Sequence, residues 1–229
     1  MACMAVGSCL QASVGFGLAL VAAPILLLVD AAFVPAPLIL NAGVLTALVL
    51  HRERRSLELG PVRWAVLGNV FGSAAAAAAL TALDAQGFTL LFGILVWCGV
   101  GFSAVGISLR LNRRNATAAG VVSGFMATTS SIGGPPMALL YQKQPGPAFR
   151  GNLAAYFLCS TSIALMSLAL VGRLGWRELD FAALLLPGLL VGFAISARTA
   201  GLLDGRALRP VVLGLSALSG SIVVVRALL

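Results

Sequence analysis

Eight stretches of this chain run without a single Asp, Glu, Lys or Arg: 1–29, 31–51, 64–83, 85–109, 115–142, 151–172, 181–197 and 210–225. A helix needs about 20 mostly apolar residues to cross a bilayer, and about 17 form the lower limit. The last two stretches are the shortest, and Arg198, Arg209 and Arg226 extend them by reaching back to the interface. Only 10% of the 229 residues are charged, where a soluble domain carries about 25%. The expected fold class is therefore an all-α integral membrane protein. No polar stretch is long enough to form a soluble domain beside it.

The remaining composition excludes several functions. A net charge of +8 could serve nucleic acid, but the basic residues sit in short loops between apolar runs, where they set membrane orientation instead. The bilayer is the expected partner, and nucleic acid is not. Cys3, Cys9, Cys98 and Cys159 lie in apolar runs with no Cys-x-x-Cys pair, and His51 stands alone. Neither a metal site nor a disulfide is expected from them, and no cofactor is implied. The first residues lack a basic leader segment, so Met1 is expected to begin the mature chain. Asp84, Asp180 and Asp204 each precede an apolar run and are expected to cap helices.

Landmarks recur along the chain. Shifted by 116 residues, Ser13 falls on Thr129, Phe16 on Ile132 and Gly17 on Gly133. Each of these segments is followed by a span, a basic loop, a second span, a Leu-Asp turn (83–84 and 203–204) and a last span. This order predicts two homologous repeats, 1–112 and 113–229. Eight full crossings would make the repeats parallel, with ten Lys or Arg inside and five outside. Two re-entrant hairpins plus six crossings would invert them, with twelve inside and three outside. The positive-inside rule favours the inverted arrangement.

The two candidate hairpins are the least regular parts of the chain. TTSSIGGPPMALLYQ (128–142) joins four consecutive hydroxyl residues to two glycines and two prolines. Proline costs a helix interior about 3 kcal/mol and glycine about 1 relative to alanine, so the spacing predicts a break with a new helix near residue 135. ASVGFGLALVAAP (12–24) repeats the layout. Irregular backbone at membrane depth survives only where protein or a watery cavity surrounds it. A helix start there presents free amide hydrogens and a partial positive charge. Together these predict a small-anion site near the interface of the halves. One side comprises Gln11, Ser13, Gly15, Phe16 and Gly17. The other comprises Thr128, Thr129, Ser130, Ser131, Gly133, Gly134 and Pro135. Asn41 is a further candidate, and both Asn41 and Asn69 could instead bond across helices. Helix packing is the competing explanation for each break, since glycine and proline are common in membrane helices.

LQASVGFGLALVAAPILL (10–27), GFMATTSSIGGPPMALLY (124–141), LLLPGLLVGFAISAR (184–198) and LDGRALRPVVLGLSALSG (203–220) together resemble the TauE/SafE sulfite exporter family. The first motif departs from the fuller triple-glycine run of many members, and the second has serine where glycine often stands. The resemblance implies a multi-pass transporter in a bacterial-type inner membrane, built from two repeats. Its expected cargo is sulfite, sulfoacetate or a related sulfur-containing anion, moved by alternating access. No Asp or Glu lies in the middle of a span, so export down the membrane potential is expected rather than proton coupling. An anion channel-like permease for another small oxyanion or carboxylate, or a non-transporting scaffold, remains the alternative. An enzyme is not expected, because no serine or cysteine has a base beside it in the pattern. Homo-oligomerisation is left open.

Overall fold

A computed structural model describes residues 1–57, 62–105 and 109–199, with scattered positions between 214 and 225. The described residues are helical or connecting, without a strand. Nine α-helices are traced among them: α1 (Ala2–Val14), α2 (Leu18–Val29), α3 (Ala36–Glu53), α4 (Val62–Ala82), α5 (Ala85–Val105), α6 (Arg113–Ser130), α7 (Gly134–Tyr141), α8 (Gly146–Leu170) and α9 (Trp176–Thr199). Five of them, α3, α4, α5, α8 and α9, are long and apolar enough to cross a membrane. Arg206, Arg209, Arg226 and Asp204, and most of the expected last span, lie outside the described residues.

Burial follows membrane logic. Phe71, Met166, Leu170 and Trp176 are between 69% and 85% exposed, while Ser8, Asn69, Ser73, Thr128, Thr129, Ser130 and Asn152 are fully buried. Lipid solvates the first group as well as a core would. The second group needs partners inside.

Helix ends follow local chemistry. Asn112 caps α6 by accepting from the Asn115 amide at 2.8 Å, and Asp84 caps α5 by accepting from Gly87 at 2.7 Å. Proline stands in the first turn of α3, α7 and α8, where its missing amide hydrogen leaves no bond unmade. The expected cap at Asp180 is not formed, because α9 begins earlier, at Trp176. There Glu178 accepts from the Gly175 amide at 2.8 Å.

Contacts fix the relative directions of the helices. α1 runs beside α9 in the same sense: Gly188 meets Met1, Gly192 meets Ala5 and Ser8, and Ser13 meets Thr199. α6 runs beside α4 likewise, with Gly68 against Thr117 and Gly72 against Val121. α3 runs along α9, joined through Asn41 to the Ala182 carbonyl and through Arg52 to Ser196. α8 runs along α4, joined through Asn69 to Tyr156 and through Arg173 to the Leu80 carbonyl. α3 and α8 oppose each other, since Gly43 faces Thr161 while Gly151 faces Glu53. It follows that α4 and α9 point in opposite directions. Small residues let these backbones touch, which is how membrane helices associate without a hydrophobic drive.

Candidate functional site

Both expected breaks are present. α1 ends at Gly15 (φ 104°) and α2 starts after Gly17 (φ 131°), conformations that glycine adopts without side-chain strain. α6 ends at Ser131 (φ 65°), and α7 starts at Gly134, within one residue of the expected position. Ser131 is thus a non-glycine residue in the left-handed region, and it stands 116 positions after Gly15. The Ser131 amide donates to the Ala127 carbonyl at 2.8 Å, and its hydroxyl donates to the Pro35 carbonyl at 3.2 Å.

At each break the chain turns back on itself. In a straight helix Gly7 and Leu18 would stand about 16 Å apart. Yet a Cβ on Gly7 would lie 2.9 Å from the Leu18 carbonyl oxygen, and the Leu18 amide donates to Gln11 Oε1 at 3.3 Å. In the second half, Ser123 Oγ donates to the Gly133 carbonyl at 2.6 Å. The far end of α7 returns to the segment just before α6, where the Leu109 amide donates to the Leu139 carbonyl at 2.9 Å. Thr128 to Ser130, Ile132, Pro135, Pro136 and Met137 are all buried, so the second break lies inside the protein rather than against lipid.

Between the breaks lies a cavity of about 40 Å³. About 10–15 Å³ of such volume holds one water, so the space suits a cluster of a few waters or one small anion. Gln11, Phe16 and Gly17 form its wall from the first break, and Ser131, Gly133, Gly134 and Pro135 from the second. The N-cap residues of both helices are glycines and offer no side-chain cap, although Gln11 Oε1 takes the first amide of α2. Helix geometry leaves the Ala19 and Gly134 amides without an intrahelical acceptor, whereas Pro135 and Pro136 have no amide hydrogen to offer.

The other sequence candidates sit elsewhere. Thr128 Oγ1 donates to Ser73 Oγ at 2.9 Å, Thr129 Oγ1 to the Phe125 carbonyl at 2.6 Å, and Ser130 Oγ to the Met126 carbonyl at 2.8 Å. Their hydroxyls face helix backbone and neighbours, and of the four consecutive hydroxyl residues Ser131 is the one on the cavity wall. Ser13 shares a hydrogen bond with Thr199 at 3.3 Å, and a Cβ on Gly15 would meet Phe149. Asn41 Nδ2 bridges the Pro37 and Ala182 carbonyls at 3.0 and 2.9 Å, a cross-helix tie. Asn69 likewise ties α4 to α8, with Nδ2 donating to Tyr156 at 2.9 Å and Ser160 at 2.8 Å while Oδ1 accepts from Ser73 of its own helix at 3.2 Å.

Sequence reasoning missed the cavity's flanks on α3 and α8. Thr46, Ser160, Thr161 and Phe157 line it. Thr46 is 1% exposed, and its hydroxyl has no hydrogen-bond partner. A lone threonine in an apolar run carries no signal. The 115-residue spacing of Thr46 and Thr161, close to the repeat shift, was the available clue. Just beyond the cavity, at the end of α3, Arg52 donates to the Ala12 carbonyl near the end of α1 and to Ser196 Oγ at 3.1 Å. Glu53 accepts from Arg52 at 3.3 Å and from Arg150 at 2.9 Å.

No curated protein and no solved structure matches the chain. A family model does match it, over residues 1–223, described as Sulfite exporter TauE/SafE. With nearly the whole chain covered and five spans among the described residues, this multi-pass membrane protein belongs to the TauE/SafE sulfite exporter family of transporters.

Proposed function

We propose that the chain exports sulfite, or a related small sulfur-containing anion such as sulfoacetate or another organosulfonate, by alternating access of the central cavity. One observation carries this reading: both helix breaks build the wall of the same cavity. Any rocking of one half against the other then opens or closes it. Gln11, Phe16, Gly17, Ser131, Gly133, Gly134 and Pro135 form the anion site, with backbone amides at the helix starts as donors.

Helix directions support two inverted repeats, 1–112 and 113–229. α1 on α9 and α6 on α4 use matched contacts, Met1 and Ala5 standing 116 positions before Thr117 and Val121. The return of α7 to the segment just before α6 supports re-entrant hairpins rather than crossings. In this arrangement the basic loops lie on the inside of a bacterial-type inner membrane. The Glu53–Arg150 pair and the Arg52–Ser196 bond tie α3 of the first half to α8 and α9 of the second at that inner end. These are the contacts that break when the cavity opens inward.

No Asp or Glu stands among the described residues of the cavity wall, so nothing there holds a coupling proton. An inside-negative potential drives an anion outward at about 2.3 kcal/mol per charge per 100 mV. Proteoliposomes loaded with sulfite test this. Efflux should rise with imposed potential and fall sharply in Gly134→Ala, whose Cβ would lie 2.9 Å from Phe16 Cβ. Efflux that ignores voltage and stops when a proton gradient collapses would contradict the uncoupled drive.

A further inference from the structure

The cavity is chemically unusual for a multiply charged guest. Among the described residues that line it, none is Lys, Arg or His. The nearby Arg52 guanidinium is already engaged by Ala12, Ser196 and Glu53. The wall's donors are neutral: the unpartnered Thr46 hydroxyl, the Gln11 amide nitrogen and backbone amides at the two helix starts. Acceptors are present as well. Thr161 Oγ1 donates its proton to the Phe157 and Leu158 carbonyls at 2.9 and 3.1 Å, and Ser131 Oγ donates to Pro35, so both oxygens keep lone pairs but no free hydrogen.

Removing an ion from water without a compensating charge carries a penalty that grows with the square of its charge. A dianion in this space would meet no counter-charge and several acceptor oxygens that repel it. A monoanion that retains its proton meets a matched set. Its oxygens accept from Thr46 and the amides, and its own hydrogen has hydroxyl lone pairs to receive it. We propose that the cavity selects the singly charged, protonated form of its oxyanion, hydrogensulfite rather than sulfite, and that Thr46 is the residue that reads it. This rests on the export reading above. Thr46 satisfies its buried hydroxyl only when the guest is present, which explains why a group 1% exposed stands without a partner.

The full chain in proteoliposomes, held at fixed voltage and fixed total sulfite, provides the test. Initial efflux should follow the hydrogensulfite concentration, falling about tenfold per pH unit above the second ionisation of sulfurous acid. Current and sulfur flux measured together should give one elementary charge per sulfur. Two charges per sulfur, or a rate that tracks the dianion, overturns the proposal. Thr46→Val keeps the shape and removes the hydroxyl. It should lower flux about tenfold through a raised KM, with thermal stability unchanged or increased, while Thr46→Ser restores transport. Wild-type flux and KM in Thr46→Val overturns the role given to this residue. Calorimetric titration with sulfite at two pH values separates the two readings. Binding only at the lower pH without any flux supports selection and removes export. Absence of both binding and flux overturns the two together.

Discussion

Thr128, Thr129 and Ser130 are the residues whose hydroxyl run points most directly to an oxyanion site in the sequence, yet each donates its hydrogen within the bundle. In a membrane-embedded helix a hydroxyl finds the carbonyl four residues back before it finds a ligand, as Thr129 and Ser130 do. Thr46 is the reverse case: an inconspicuous residue whose hydroxyl is left unpaired at the cavity. An unsatisfied buried polar group costs about 1–3 kcal/mol, so Thr46→Val should raise stability by about 1 kcal/mol in thermal unfolding without added anion. Anion added in excess should then stabilise the wild type more than the variant. Backbone makes a separate demand at Gly17. A Cβ there would have room, the nearest atom being Leu10 Cβ at 3.7 Å, but φ is 131°. Gly17→Ala should therefore cost about 1–3 kcal/mol through strain alone, measurable as a lowered midpoint of detergent-solubilised protein.

Helix contacts explain why the elements assemble as they do and how far they could be anticipated. The break before Gly134 was legible because two glycines and two prolines leave a helix no alternative. The first break was legible by comparison with the second, since Gly17 alone would pass for packing. Which helix packs on which was not legible, because small residues occur on many faces of such a chain and only the folded structure shows which faces meet. Gly72 and Gly192 are the decisive ones: a Cβ at either would overlap a carbonyl oxygen, of Val121 and of Ala5 respectively. Gly72→Ala should thus force α4 from α6 and cost more than about 2 kcal/mol, at the high end for overpacking. A Cβ on Gly101 of α5 would meet nothing within 4 Å, so Gly101→Ala should be neutral or stabilising by up to about 1 kcal/mol. Equal losses at the two sites would show that glycine number, rather than helix contact, governs stability.

At the scale of the whole molecule, orientation of the second half decides between parallel and inverted repeats, and one loop reports it. Lys143 is exposed in the connection between α7 and α8. α7 has eight residues and spans about 12 Å, and the Leu109 amide, just before α6, donates to the Leu139 carbonyl near the far end of α7. On the re-entrant reading proposed above, the chain therefore returns to the side from which α6 entered. α6 begins at the basic segment Arg110 to Arg114, which the positive-inside rule assigns to the cytoplasm. Contacts agree with that side: Arg150, a short way beyond Lys143, pairs with Glu53 at the end of α3, beside the other basic loop. Charge counting in the sequence leaned the same way but could not decide, because both topologies place more basic residues inside. Replacing Cys3, Cys9, Cys98 and Cys159 and introducing Lys143→Cys gives a direct reading with a membrane-impermeant maleimide. In right-side-out vesicles Lys143→Cys should stay unlabelled until the membrane is opened, as should Ser56→Cys, whereas Gly172→Cys at the opposite end of α8 should react at once. Labelling of Lys143→Cys in sealed vesicles would make α6 and α7 together a full crossing, with parallel halves. The cavity would then lack the two-sided access on which export by rocking depends.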